Sequence, residues 1–138
     1  MKVERVETWV AALEDRPGNL ATKLDPLAKA GINLEFVLAR RAPEKPGTGV
    51  VFVAPIKGAA ASRAAQEAGF IKTETLFSVR VEGSDKPGRC AQLARVLAEK
   101  GLNLRGLSAS NIGRKFVAYV ALDNAADAAK AVRVLKAI

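Results

Sequence analysis

Two loops of this chain have residue types and spacing that suit the binding of a small charged molecule. Asp15-Arg16-Pro17-Gly18 returns as Asp85-Lys86-Pro87-Gly88, and a helical pattern follows each copy. The N-terminus of a helix presents unpaired backbone N–H groups and a positive dipole end, which favour an anion. Glycine lets a ligand approach the backbone closely, proline stiffens the loop, and the aspartates can accept hydrogen bonds from an ammonium group. The loops therefore predict a site for a molecule that carries both charges, with a plain turn-and-cap role as the alternative.

The composition argues against catalysis and against metal binding. The chain contains no histidine and a single cysteine, Cys90. Serine–histidine and cysteine–histidine nucleophile pairs are therefore excluded, as are histidine metal sites and an internal disulfide. No phosphate-binding Gly-x-x-x-x-Gly-Lys sequence occurs either. We expect a protein that is not an enzyme, with no catalytic residues, no cofactor and no metal, in the reducing cytoplasm.

The two loops belong to a longer internal repeat with an offset of 70 residues. Gly31-Ile32-Asn33-Leu34 returns as Gly101-Leu102-Asn103-Leu104, and nine of the twenty positions in 15–34 match those in 85–104. A repeat that fills the chain divides it into units 1–69 and 70–138. A unit of that size is marginally stable alone, so we expect the halves to share a core or a sheet.

Hydrophobic periodicity predicts the same order of elements in both halves. In the first half we expect strands and helices in the order strand Val6–Leu13, helix Asn19–Ala30, strand Ile32–Ala39, strand Val50–Val53, helix Ala59–Ala68. In the second half we expect strand Phe77–Glu82, helix Arg89–Lys100, strand Leu102–Ser108, strand Phe116–Leu122, helix Ala125–Ala137. One further strand in each half would complete the split β-α-β motif of the ferredoxin-like fold, β-α-β-β-α-β.

The missing strands suggest that the halves exchange chain segments. No turn residue separates Phe70 from the strand that begins at Phe77, so one strand from Phe70 to Val81 is expected. At the offset of 70, residues 71–75 correspond to residues 1–5, so Met1–Arg5 can complete the second half. Two long antiparallel strands would then serve both halves. The alternative is two separate units with a frayed N-terminus.

The Asp-x-Pro-Gly loop before a helix, followed by Gly-x-Asn-Leu, resembles an ACT domain. The chain contains two such copies, and the resemblance covers nearly its whole length. The resemblance implies an α+β fold of two ferredoxin-like repeats, with antiparallel sheets side by side and helices on one face. It also implies a free amino acid bound between neighbouring domains, and a regulatory role without an attached catalytic domain. The ligand-binding residues that follow from the loops and the resemblance are Asp15, Arg16, Pro17, Gly18, Asn19, Leu20 and Asn33, with Asp85, Lys86, Pro87, Gly88, Arg89, Cys90 and Asn103.

Two of these assignments have competing interpretations. Asn33 and Asn103 fall on the strand face opposite their apolar neighbours, where the resemblance gives them a part in closing the ligand site. A turn-forming residue after glycine is the other interpretation of each asparagine. Cys90 replaces Leu20 in the second repeat, which suggests a small core residue, although a helix start can activate a thiol.

Two other functions are compatible with the sequence. An assembly module that regulates a partner without a ligand has the same fold. The net charge of +8 suits RNA binding, and the segment Arg114–Val120 resembles part of an RNA-binding RRM domain. Stacking of bases on a sheet needs aromatic residues two apart on one face, whereas Phe116 and Tyr119 are three apart and point to opposite faces. We therefore expect as partners a free amino acid and either a second copy or an enzyme or regulator. Nucleic acid is disfavoured, and no apolar run approaches the roughly 20 residues that span a membrane.

Overall fold

The first strand of the chain pairs with a strand from the second half of the sequence. In the computed structural model, which describes all 138 residues, β1 (Lys2–Val6) lies antiparallel to β6 (Phe77–Ser84), with Val3 opposite Val81. Two compact units result. We call residues 7–73 the continuous unit, and residues 1–6 together with 74–138 the split unit. The units differ from the sequence halves 1–69 and 70–138 because β1 joins the second half and residues 70–73 stay with the first.

The continuous unit is a four-stranded antiparallel sheet with two helices. Its elements are β2 (Trp9–Glu14), α1 (Asn19–Lys29), β3 (Phe36–Arg41), β4 (Thr48–Ala54), α2 (Ala59–Glu67) and β5 (Ile71–Lys72), and the strand order is β3-β4-β2-β5. Alternate residues of β2 and β4, such as Trp9 and Val53, are buried and pack with Leu27 of α1. Period-two burial on the strands and one apolar stripe on the helices therefore build a core on one face of the sheet.

The split unit repeats this architecture with β1 in place of a strand from its own half. Its remaining elements are β6, α3 (Arg89–Glu99), β7 (Gly106–Ile112), β8 (Lys115–Leu122) and α4 (Ala125–Lys136), and the strand order is β1-β6-β8-β7. Val79, Val81 and Val120 are fully buried together with Leu93 and Leu97 of α3. The predicted pair of ferredoxin-like repeats, with antiparallel sheets and helices on one face, is confirmed.

The first helix of each unit ends in the same way. Gly31 and Gly101 have positive φ of 76° and 74°. The next amide reaches back across the helix end, Ile32 N–H to the Leu27 carbonyl at 3.1 Å and Leu102 N–H to the Leu97 carbonyl at 3.0 Å. This left-handed cap turns the chain back towards the sheet and brings residue 32 or 102 onto the core.

The long continuous strands of the sequence prediction are wrong. Residues 7 and 8 separate β1 from β2, and residues 73–76 separate β5 from β6. The break is required because β1 and β2 belong to different sheets, so the chain must leave one ladder before it enters the next. Strands β3 and β7 also begin later than expected, at Phe36 and Gly106, because residues 32–35 and 102–105 form the connection from the helix cap.

Removal of residues 1–5 should damage the split unit and spare the continuous unit, although these residues directly precede β2. The truncated protein loses the ladder between β1 and β6 and the burial of Val3. Each lost hydrogen bond contributes about 1 kcal/mol. Hydrogen exchange should become faster at residues 77–82 and stay unchanged at residues 9–14. Unchanged exchange at 77–82, with an unaltered melting temperature, would contradict this pairing.

Candidate functional site

The glycines of the two Asp-x-Pro-Gly loops have nearly the same backbone conformation. Gly18 and Gly88 are the N-cap residues of α1 and α3, with φ of 87° and 83°, and neither helix has a side-chain cap. These angles lie in the left-handed region, which only glycine adopts at little cost. A Cβ atom at either position would meet nothing within 4 Å, so the space beside each helix start is open.

The loop aspartates hold the loops to strands β3 and β7 of their own units. Asp15 Oδ2 accepts a hydrogen bond from Arg41 Nε at 2.9 Å, and Asp85 Oδ2 accepts one from Asn111 Nδ2 at 3.1 Å. Arg41 and Asn111 are themselves 70 residues apart, so the contact is part of the repeat. In both units the carboxylate therefore fixes the loop, in addition to any bond that it offers to a ligand.

A cavity of about 560 Å³ lies beside the first loop, entirely within the continuous unit. Its volume is in the range of small-molecule sites. It extends along β2, where pairing with β5 covers only Trp9 and Val10. The strand edge from residue 11 onwards has no strand beside it on that side. The cavity is lined by Ala12, Leu13, Glu14, Asn19, Thr22, Lys23, Thr48 and Ala68.

The first turns of α1 supply the polar wall of this cavity. Asn19, Thr22 and Lys23 have the spacing i, i+3, i+4 and so share one helix face. Lys23 Nζ donates one hydrogen bond, to the carbonyl of Ala68 at 3.2 Å, and forms no ion pair. An ammonium group has three donors, so two remain for a ligand.

A carboxylate stands at the other end of the loop. Glu14 lines the cavity, and its Oε2 is 2.7 Å from Arg16 Nη2 in an exposed ion pair. Its backbone carbonyl accepts a hydrogen bond from Asn19 Nδ2 at 3.0 Å, which leaves the amide oxygen of that asparagine as an acceptor. The lining thus contains one ammonium group, one carboxylate and uncharged polar groups.

The split unit fills the corresponding place with its own side chains. Arg89, the counterpart of Asn19, donates to the Ser84 carbonyl at 2.9 Å, to Ser84 Oγ at 2.9 Å and to Gln92 Oε1 at 3.1 Å. Leu93, the counterpart of Lys23, is fully buried in the core. Arg80 lowers the pKa of Glu82, the counterpart of Ala12, through a contact of 2.8 Å. The two copies of the repeat are therefore different in chemistry at this place.

The structure brings some of the predicted residues to the cavity and leaves others apart. Asn19 lines it, and residues 15–18 form the loop between the lining residues Glu14 and Asn19. Leu20 is 36% exposed and is not part of the lining. Cys90 is exposed, so its assignment to the core is wrong; it follows the helix start directly and lies on the solvent side.

The asparagines are not strand residues. Asn33 and Asn103 are exposed in the connections before β3 and β7, between apolar neighbours that pack on the cores. Their predicted alternation with those neighbours holds, but neither residue lines the cavity. Whether they contact a ligand stays a prediction.

Sequence reasoning missed the two charged residues of the lining, Lys23 and Glu14. Both are marked in the repeat by a change of residue type, because their counterparts are Leu93 and Ser84. A charged residue that replaces an apolar one at an equivalent helical position is the signal that could have identified Lys23.

RNA binding gains no support from the side chains. Phe116, an aromatic of the RRM-like segment, is 4% exposed in the core of the split unit and is inaccessible to a base. No cluster of three or more cysteine or acidic side chains is suited to a metal ion. No helix has the length and apolar character needed to cross a membrane.

Solved structures with the same fold include regulatory parts of aspartate kinases. A protein from Bacteroides thetaiotaomicron matches 98% of this chain and 89% of its own, with 19% identity and a TM-score of 0.79. The ligand-free regulatory subunit of aspartate kinase from Thermus thermophilus matches over 99% and 97%, with 19% identity and a TM-score of 0.69. Aspartokinase III of Escherichia coli, in complex with lysine and aspartate, matches 98% of this chain and 31% of its own, at 15% identity and a TM-score of 0.54. No family model and no curated protein matches the sequence. The tandem fold implied by the resemblance to ACT domains is confirmed.

Replacement of Gly18 by alanine should lower the free energy of unfolding by about 1–2 kcal/mol, because a Cβ atom disfavours its left-handed conformation. Gly106→Ala is the matched control, since Gly106 has no positive φ and its added Cβ would lie 4.0 Å from Ala121. Urea denaturation of both variants measures the difference. Equal stability of the two variants would show that the loop relaxes away from this conformation.

Proposed function

We propose that this protein is a regulatory protein without catalytic activity, and that it binds a free amino acid beside the Asp-x-Pro-Gly loop of the continuous unit. The observation that carries the proposal is the charge pattern of the cavity. Lys23 lines it with an ammonium group that forms no ion pair, and Glu14 lines it with a carboxylate paired to the exposed Arg16. A free amino acid carries a carboxylate that Lys23 can bind and an ammonium group that can join the pair of Glu14 and Arg16.

Electrostatics and shape both favour such a ligand. The ammonium of Lys23 suits a carboxylate, and charge-assisted hydrogen bonds of this kind are shorter and stronger than neutral ones. Ala12, Leu13 and Ala68 also line the cavity and give it apolar surface that can contact the aliphatic part of the ligand. A few polar groups in an otherwise apolar cavity are typical of small-molecule sites.

The comparisons support a regulatory role. The Thermus thermophilus protein is a regulatory subunit of aspartate kinase, and the Escherichia coli enzyme is described with lysine and aspartate. By this analogy, we propose that the partner of this chain is an enzyme or a second copy of the chain, and that ligand binding alters that association. The analogy rests on the fold alone. The charged cavity supports ligand binding independently of it.

Amino-acid binding predicts a thermal shift with at least one of the twenty proteinogenic amino acids at millimolar concentration. A ligand at 100 times its dissociation constant adds about 2.7 kcal/mol to stability, which corresponds to a rise of several degrees in Tm. Ammonium acetate at the same concentration controls for charge and ionic strength, because it supplies both ions unlinked. A flat response to all twenty would favour the alternative function, an assembly module without a ligand.

A further inference from the structure

We infer that the ligand occupies the continuous unit alone, one per chain, and that Lys23 binds its carboxylate, whereas β1 and Met1 close the equivalent place in the split unit. This inference rests on the proposed function and adds to it the position, the stoichiometry and the anchoring residue. Three differences between the repeats support it: the strand register, the packing of Met1, and the replacement of Lys23 by Leu93.

The edge strands of the two units extend to different lengths along their neighbours. In the continuous unit the ladder between β5 and β2 ends with Ile71 opposite Val10. In the split unit β1 continues past the counterpart of Val10, which is Arg80, and places Lys2 opposite Glu82. Pairing with β1 therefore covers Val81 and Glu82, whereas the equivalent residues of β2 are open on that side.

The side chain of Met1 fills the next position along this edge. It packs on the core of the split unit and lies against Gly83, where an added Cβ would be only 2.8 Å from Met1 Cγ. The counterpart of Gly83 is Leu13, a lining residue of the cavity. Glycine at position 83 thus provides the room that Met1 occupies, and the space left for a ligand in one unit is taken by the chain itself in the other.

Lys23 is the group with no equivalent in the split unit. Its ammonium lies at the C-terminal end of α2, on the carbonyl of Ala68, where the helix dipole favours a positive charge. It is the only cationic side chain of the lining, so a ligand carboxylate in the cavity has one cation to bind. In the split unit Leu93 is buried, and Arg89 already donates to three oxygens.

Titration calorimetry with the amino acid that gives the largest thermal shift tests this inference on the full chain. We expect one site per chain in the wild type. Lys23→Gln should weaken binding by about 10-fold or more, since it removes a charged hydrogen bond. Lys29→Gln is the matched control, because it removes the same charge from an exposed position on the same helix outside the cavity. Lys29→Gln should keep the affinity within about 2-fold, and Lys23→Arg should restore part of it.

The carboxamide of the same amino acid distinguishes a direct contact from a structural effect of the substitution. The amide lacks the ligand's negative charge, so it should bind the wild type more weakly than the acid does. In Lys23→Gln the acid and the amide should bind with similar affinity, because the cation that binds the carboxylate is absent. Equal discrimination between acid and amide in both proteins would overturn the role of Lys23.

The remaining outcomes of these measurements distinguish failure of this inference from failure of the proposed function. Two sites per chain, or wild-type affinity in Lys23→Gln, would overturn the inference and leave amino-acid binding intact. Absence of a thermal or calorimetric response to all twenty amino acids would overturn the proposed function and this site with it. Retained thermal stability of Lys23→Gln verifies that lost binding is not lost folding.

Discussion

The antiparallel pairing of β1 with β6 is the contact on which the organisation of this protein depends. It completes the sheet of the split unit with residues from the other end of the sequence, and it buries Val3 against Val81. Because β1 is used in this way, the continuous unit must complete its own sheet with what remains between α2 and β6. That segment supplies only the two residues of β5.

The unequal edge strands give two copies of one motif different surroundings. The glycine N-cap of the first helix and the tie from the loop aspartate to β3 or β7 occur in both units. Beyond the loop the copies diverge. The continuous unit has an open strand edge beside Lys23, and the split unit has a closed edge beside Leu93. Both copies of the fold thus have the same scaffold, whereas the cavity beside Lys23 lies in one copy.

Much of this architecture could be predicted from the sequence because the signals were local and occurred twice. The helix bounds followed from glycines with a required backbone conformation, such as Gly31, and the order of elements from hydrophobic periodicity. The strand bounds near residues 7 and 73–76 could not be predicted, because they depend on which sheet each segment joins. The helix through Asn19–Lys29 also continues past Pro26, although proline lacks the N–H for an intrahelical bond, since tertiary burial of Leu27 outweighs local propensity.

The cavity was harder to predict than the fold. The loop residues between Glu14 and Asn19 were identified by their repetition, whereas Lys23 and Glu14 are residues at which the repeat is broken. Repetition identifies what the scaffold requires in both copies. A site that exists in one copy depends on residues that differ between the copies. Such a difference can be interpreted only when the structural surroundings of both residues are known.

Amide hydrogen exchange at equivalent positions of β2 and β6 measures whether one sheet has an open edge and the other a closed edge. In each pair of adjacent residues on these strands, one amide faces the inner neighbour and the other faces the edge strand. We expect the less protected amide of Ala11 and Ala12 to exchange much faster than the less protected amide of Val81 and Glu82, because only the latter pair has a strand on both sides. Equal protection at the two places, relative to the inner-facing amides of the same strands, would contradict an open edge in one unit and a closed edge in the other.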